Sequence, residues 1–417
     1  MLTPTRTVIE ISKDGHLEIP PELTAQLGLV AGAKVVLQTR NNELLIHAPV
    51  SHLARVYIEP TNTCNLGCRT CMRNVWNEAL GFMDEATFGQ ILRGLEAFTP
   101  RPQVFFGGFG EPLSHPRIAE MVRQVKALGC RAELISNGLH LSPDMADALA
   151  QAQLDVLWVS IDGSRPESYA DVRLGAELPK VLENLKNLRR LLIQRHQNQP
   201  QLGIAFVAMR RNIADLPDVL RLGARLGAAF FSISNVLSHT PELAQEELYD
   251  QTMYSGAYQV TSGLPQVSFP RMDSHPQAVA ALAEVMSSRY KVDLAGAQIA
   301  ASVNRCPFVE KNSTAIRWDG ALSPCLPLLH THHSYLDQRL RLTREYSSGN
   351  IRHTDLLDLW NDPGYVALRE RLRDFDFSPC TFCNSCEMPD ENLEDCFGSS
   401  APACGGCLWA QGIIQCP

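Results

Sequence analysis

Between residues 55 and 236, apolar runs and amphipathic stretches take turns along the chain. Strand-like runs fall at "RVYIE", "QVFFG", "RAELIS", "VLWVSI", "LGIAFVAM" and "FFSISNV". Helical patterns lie between them. The clearest is "LPKVLENLKNLRRLLIQ", which puts Leu178, Val181, Leu182, Leu185, Leu188, Leu191 and Leu192 on one stripe. Six strand–helix units in series predict a parallel sheet with right-handed crossovers. The fold class is therefore α/β, as an open doubly wound sheet or as part of a barrel.

The pattern changes on both sides. Residues 1–50 read as a small β unit, with strands at "TVIEIS", "HLEIP", "KVVLQTR" and "ELLIHAP", turns at "SKDG" and "RNNE", and one short helix at "PELTAQLGL". So few short strands make a poor core alone, which favours pairing with a second copy. Residues 241–305 form a bridging segment with helices expected at "ELAQEELYDQTMYSGAYQV" and "PQAVAALAEVMSSRY". Residues 306–417 are short of long elements and rich in Cys, Pro and Gly, so metal clusters are expected to hold them together. The four segments are thus 1–50, 51–240, 241–305 and 306–417.

Composition narrows the class. The 417-residue chain is too long for a single compact core. Apolar content of 45% and charged content of 20% are those of a soluble globular protein. There is no apolar run of membrane-spanning length and no secretory start, so a cytoplasmic, membrane-free protein is expected. A net charge of −8 argues against a broad nucleic-acid footprint. Thirteen cysteines in such a chain should be metal ligands or redox groups rather than disulfides.

The chemistry gathers where strands end, as parallel α/β architectures require. Cys64, Cys68 and Cys71 follow the first strand in "CNLGCRTC", "GGFGEP" follows the second, "SNG" the third and "SIDG" the fourth. Arg210 and Asn212 follow the fifth, and the sixth strand end carries no such cluster. Three thiolates bind zinc or an iron–sulfur cluster, and their spacing alone leaves both open. A structural zinc site should close with four ligands, whereas a four-iron cluster on three cysteines keeps one iron free for another ligand. The strand-end setting favours iron. Glycines let a ligand approach the backbone of "GGFGEP", and Glu111 with nearby carbonyls suits an amino group. Ser136, Asn137, Ser160 and Asp162 suit ribose hydroxyls and an amino-acid head.

Together "CNLGCRTC", "GGFGEP", "SNG" and "SIDG" resemble the radical S-adenosylmethionine (SAM) enzymes over about residues 52–240. The resemblance implies a partial, TIM-like (β/α)6 barrel. It implies that Cys64, Cys68 and Cys71 hold a [4Fe–4S] cluster whose open iron takes the amino and carboxylate groups of SAM. Reductive cleavage of SAM would then give a 5′-deoxyadenosyl radical that abstracts hydrogen from substrate. By motif match, the backbone at Phe109, Gly110 and Glu111 should meet the SAM amino group. Ser136 and Asn137 should lie by the ribose, with Ser160 and Asp162 near the ribose or carboxylate; Arg210 is a candidate for adenine or carboxylate. The family often carries an aromatic residue where this chain has Thr70.

The segment "CPFVEKNSTAIRWDGALSPC" and the following "GNIRHTDLLDLWNDPGYVALRERL" look like the SPASM extension, which implies one or two auxiliary iron–sulfur clusters. The candidate ligands are Cys306, Cys325, Cys380, Cys383, Cys386, Cys396, Cys404, Cys407 and Cys416; zinc is the alternative. The first fifty residues resemble AbrB-like swapped-hairpin domains. Their four Lys/Arg against five Asp/Glu favour a homodimerisation or docking role over DNA binding. Both ends together look like the tungsten-cofactor oxidoreductase maturase group. That likeness implies a peptide or protein substrate, such as a tungsten oxidoreductase or an associated peptide, and an electron donor such as ferredoxin or flavodoxin. Modification of a ribosomal peptide is the enzymatic alternative; a metal-stabilised DNA-binding regulator is the alternative of another class. Cys130 is expected to be a buried thiol, and His330, His332 and His333 a solvated loop cluster.

Overall fold

The computed structural model describes residues 9–29, 35–40, 43–249, 304–336, 338–381, 383 and 386–417, with short stretches at 266–269, 272, 276–286, 291–294 and 297–299. Near the start, a bridge pairs Ile11 with Leu17, and a short helix α1 spans Pro21–Gln26. Strands β1 (Val36–Arg40) and β2 (Glu43–His47) form an antiparallel hairpin. The outer part of the "TVIEIS" strand lies outside the described residues.

Six parallel strands follow in chain order: β3 (Arg55–Ile58), β4 (Gln103–Phe106), β5 (Ala132–Ser136), β6 (Val156–Ser160), β7 (Gln201–Ala208) and β8 (Ala228–Asn235). They match the six apolar runs. Helices α2 (Glu85–Glu96), α3 (Ile118–Ala127), α4 (Pro143–Gln151), α5 (Pro166–Val172), α6 (Leu178–Gln194) and α7 (Leu216–Leu226) lie between them. Local chemistry sets their starts. Asp84 accepts a hydrogen bond from the Thr87 amide ahead of α2, and Ser142 from the Met145 amide ahead of α4. On α6 the predicted stripe buries Leu178, Val181, Leu185 and Leu188 against the sheet.

The sheet does not stop at six strands. β9 (Gln266–Phe269), β10 (Lys291–Leu294) and β11 (Ala297–Ile299) form a separate three-stranded sheet. Then β12 (Ser313–Ile316), from the Cys-rich segment, pairs in parallel with β3, Ser313 opposite Arg55 and Ile316 opposite Ile58. β13 (Ala321–Ser323) and β16 (Gly349–Asn350) extend that edge, with the hairpin β14 (His332–Leu336) and β15 (Arg339–Thr343) between them in sequence. The order across the sheet is β16-β13-β12-β3-β4-β5-β6-β7-β8.

Two expectations change here. The bridging segment is not helical alone: its helix at Pro276–Met286 lies in sequence between β9 and β10 of that three-stranded sheet, and among the described residues the earlier predicted helix is helical at its start, Pro241–Ala244. Residues 250–260 and 287–290 of the predicted helices lie outside the described residues. Nor does the Cys-rich segment depend on metal alone. Its 12-residue helix Pro363–Asp374 and the preceding turn send Trp360, Tyr365, Leu368 and Leu372 into the same apolar core as the barrel strands. Trp360 donates to the Ser51 carbonyl at 2.8 Å, and Arg369 stacks 3.6 Å from its ring. Among the described residues no helix is long and apolar enough to cross a membrane.

Candidate active site

Glu59 closes β3, and the chain then turns into the loop that carries the three cysteines. Thr61 and Asn62 pin that loop to the Gly81 and Ala79 carbonyls at 2.6 and 2.9 Å. Asn74 donates to the Cys68 carbonyl at 2.8 Å. Cys64, Cys68 and Cys71 consequently face one cleft of about 1050 Å³, walled by Phe109, Gly110, Glu111, Ser136, Asn137 and Ser160. Burial pushes the Cys71 thiol up to about 11 and raises that of Cys64, so a bound metal must displace their protons. Among the described residues no three His, Cys, Asp or Glu side chains converge on a single-ion site.

The glycine loop after β4 fits tightly against the cysteine loop. Gly108 has φ +146°, and a Cβ there would lie 2.7 Å from Glu59; a Cβ on Gly110 would lie 2.0 Å from the Thr61 carbonyl oxygen. The Phe109 amide donates to Glu59 at 3.0 Å, and the Glu111 amide to the Thr63 carbonyl at 2.8 Å.

The Glu111 carboxylate is already engaged. It accepts from the Leu113 amide at 2.9 Å, the Ser136 hydroxyl at 2.8 Å and the Asn137 amide at 2.8 Å, tying the second strand end to the third. Burial raises its pKa and these three bonds oppose the rise. Asn137 in turn donates to Asn65 of the cysteine loop at 2.8 Å.

Two expected contacts fall elsewhere. Asp162 is fully buried, accepts from the Val207 amide at 2.7 Å and pairs with Arg173 at 2.8 Å, so its carboxylate is committed within the fold. Arg173 instead reaches the cleft, 4.0 Å from the Cys68 sulfur. Burial works against the Arg173 charge, but Asp162 and Cys68 outweigh it. Arg210 is exposed and donates to the Glu247 carbonyl at 2.9 Å, away from the cleft. The sixth strand end does contribute: Ser234 and Asn235 line the cleft.

His330 overturns the expected solvated cluster. It is 1% exposed, and its ring spans Glu59 at 2.9 Å and Glu78 at 2.5 Å. Trp76 and Phe109 pack on it, at centroid distances of 4.1 and 5.5 Å. Burial opposes its charge, yet the two carboxylates raise its pKa to about 9. His332 is buried too, and burial lowers its pKa to about 4. A carboxylate directly after an apolar strand was the one sequence signal for this clamp; a histidine 271 residues away carried none.

The late cysteines fall into two neighbourhoods. Cys306, Cys325, Cys404 and Cys407 are half-buried near one another; burial raises their thiols, and Cys306, Cys325 and Cys404 are raised further by the charges of neighbours within this set. Burial also raises Cys380, with a contribution from Cys396, while Cys386 lies within electrostatic reach of Arg339. Cys383 follows Cys380 in the same loop. Cys416 packs against the same apolar cluster as Cys306 and Cys325, its charge reaches Cys407, and it also lines the cleft that holds Cys64, Cys68 and Cys71. Cys130 is 1% exposed in the core, as expected.

The radical SAM superfamily signature matches residues 58–221, and the SPASM iron–sulfur cluster-binding domain matches residues 306–387. A tungsten-containing aldehyde ferredoxin oxidoreductase cofactor-modifying protein of Pyrococcus furiosus is 30% identical over 371 residues, covering 87% of this chain and 96% of that one. The chain belongs to the radical SAM superfamily. The mycofactocin maturase MftC of Mycobacterium tuberculosis is 28% identical over 41% of each chain. Streptococcus suis SuiB bound to S-adenosylmethionine shares the fold, with a TM-score of 0.51 and 15% identity over 80% of this chain and 71% of SuiB.

As a radical SAM enzyme with a SPASM extension, the protein takes a [4Fe–4S] cluster, SAM and auxiliary iron–sulfur clusters as its cofactors. The donor set fits them. Three thiols share the cleft with a glycine-backed loop, and further half-buried thiols gather in the Cys-rich extension.

Proposed function

We propose that this radical SAM enzyme cleaves SAM reductively at Cys64, Cys68 and Cys71 and abstracts hydrogen from a peptide or protein during maturation of a tungsten-dependent oxidoreductase. The observation that carries this reading is the 30% identity to the Pyrococcus furiosus cofactor-modifying protein across 87% of the chain. The cluster with bound SAM supplies a carbon-centred radical; the chain's own residues hold and orient its source.

Cys64, Cys68 and Cys71 would hold the cluster through their thiolates, and the SAM amino and carboxylate groups would complete its binding. Phe109 and Gly110 line the cleft, and the backbone there would receive the amino group. Glu111 acts from behind, fixing Ser136 and Asn137 where ribose hydroxyls come. Ser160 offers a further hydroxyl, and Arg173 sets a positive charge beside Cys68. Cys306, Cys325, Cys404 and Cys407 hold one auxiliary cluster, and Cys380, Cys383, Cys386 and Cys396 a second. An electron donor of the ferredoxin or flavodoxin type feeds the centre.

Residues 1–50 serve as the dimerisation or docking unit in this reading. Ile11 is 70% exposed, Leu37 59% and Leu44 54%, an apolar surface that a second copy would cover.

The test is anaerobic reconstitution with iron and sulfide, then reductant and SAM, with 5′-deoxyadenosine measured. Wild type should produce it, and Cys68→Ala should not while keeping its auxiliary iron. For the partner, a tungsten oxidoreductase co-expressed with and without this protein should gain activity only in its presence. Equal activity in both cases would refute the maturation role and leave SAM cleavage standing.

A further inference from the structure

Arg341 is the middle residue of β15 and is 6% exposed. Arginines are rarely buried so far, because taking the charge out of water is costly. This one lies between two loops that carry late cysteines. Its Nη2 donates to the Cys380 carbonyl at 3.0 Å. Its Nη1 rests against Gly406, in the "CGGC" loop of Cys404 and Cys407. A Cβ on that glycine would lie 2.9 Å from the nitrogen, so the glycine leaves the space that the guanidinium occupies.

The two loops are also stitched to each other. Thr381 donates through its amide and its hydroxyl to the Gly405 carbonyl, at 3.1 and 2.8 Å. A Cβ on Gly405 would lie 1.9 Å from the Ser378 carbonyl oxygen, so the backbones meet there. A second observation gives the guanidinium a task. Arg341 lines a cavity of about 850 Å³ whose wall also holds Cys325, Cys380, Cys404 and Cys407. Burial pushes the Cys380 thiol up and Asp395 and Cys396 add to the rise, while Ser378 and the Arg341 charge hold it down. Of the nearby carboxylates, Glu391 is bound to Arg344, and Asp395 accepts from the Ser378, Phe397 and Ser399 amides; Glu394 lines the cavity as well.

We propose that Arg341 sets the reduction potential of an auxiliary iron–sulfur cluster at this junction, as the buried positive charge that favours the reduced form. The inference rests on the auxiliary clusters of the extension; it needs neither SAM cleavage nor a particular division of thiols between clusters. Reduction by one electron from an external low-potential donor adds one negative charge to a cluster and its thiolates. No bond in the protein forms or breaks. A cation held in the wall of the same cavity stabilises that added charge, because a protein interior screens it less than water does. The cluster is therefore reduced at a less negative potential than its thiolates alone would set.

The test uses the full chain with Cys64, Cys68 and Cys71 all replaced by Ala, so that anaerobic reconstitution loads the auxiliary clusters alone. Into this background go Arg341→Gln, which keeps an amide donor without the charge, and Arg341→Lys, which keeps the charge. Arg344→Gln, at an exposed pair on the same hairpin, is the control. Iron per chain is measured, and midpoint potentials are read by electron paramagnetic resonance during a dithionite titration. Arg341→Gln should keep its iron and shift an auxiliary midpoint to a more negative potential. Arg341→Lys should shift it less, and Arg344→Gln should leave it in place. An unmoved midpoint in Arg341→Gln overturns the proposal. So does an equal shift in the Gln and Lys variants, or in the control, which would assign the effect to packing or to distant charge. Iron loss in either Arg341 variant would make the residue a structural tie between the loops and overturn it too. A background chain that takes up no iron overturns the auxiliary-cluster reading itself, and is told apart by the missing resonance.

Discussion

The His330 imidazole lies 2.9 Å from the Glu59 carboxylate, joining the Cys-rich extension to the end of the first barrel strand. The same carboxylate receives the Phe109 amide, so the extension reaches the glycine loop through one shared acceptor. Glu78, at 2.5 Å on the other ring nitrogen, makes the clamp two-sided.

The clamp predicts a pH dependence. The folded pKa of His330 is about 9 against 6.5 for the free side chain: burial opposes the charge, and Glu59 and Glu78 outweigh it. A group that binds its proton more tightly when folded stabilises fully below pH 6.5 and loses that contribution as pH rises through 9. The contribution is on the order of 3 kcal/mol. Thermal unfolding of wild type and His330→Gln should therefore differ most below pH 6.5 and converge toward pH 9. A gap that stays constant across that range would mean the ring is neutral.

Glu111→Gln should weaken SAM binding and lower stability by about 1–3 kcal/mol, because an amide NH2 would then face donors that the carboxylate now satisfies. Equilibrium dialysis of SAM against the reconstituted variant, with denaturant unfolding alongside, reads both effects. Unchanged SAM affinity would show that the second and third strand ends hold their positions without this bond.

Arg173→Met strands the Asp162 carboxylate in the core. Breaking such a buried pair costs about 3–5 kcal/mol. Asp162→Asn in the same chain should recover most of that loss, since it removes the unpaired charge. Chemical denaturation of the two single variants and the double variant checks the cycle; equal losses in single and double variants would deny the coupling.

The two cysteine neighbourhoods predict how iron losses combine. Cys306→Ala and Cys404→Ala should together lose no more iron than one of them alone. Cys404→Ala with Cys396→Ala should lose the sum. Iron and sulfide analysis after anaerobic reconstitution decides; additive loss within the first pair would redraw the partition.

Much of this arrangement was legible in the sequence. The six strands announced themselves because each is an apolar run between amphipathic helices, and the cysteine, glycine and serine clusters lay at their ends. What stayed hidden depended on distant pairing. Nothing local in "SIDG" shows that Asp162 is claimed by Arg173, and nothing in "LLHTHH" shows that His330 is drawn between two carboxylates. The Cys-rich segment looked poor in core because its short elements were counted alone. Trp360 and Tyr365 pack on each other and under Arg369, and join the same apolar core as the barrel strands.

The pairing of Ser313–Ile316 along Arg55–Ile58 has one more implication. That rim of the barrel ends in the extension's own backbone. A fragment severed between the two would bare a row of unsatisfied amides and carbonyls and would stick to its neighbours. Engineers seeking a minimal catalyst must therefore trim elsewhere, because this seam welds the two halves.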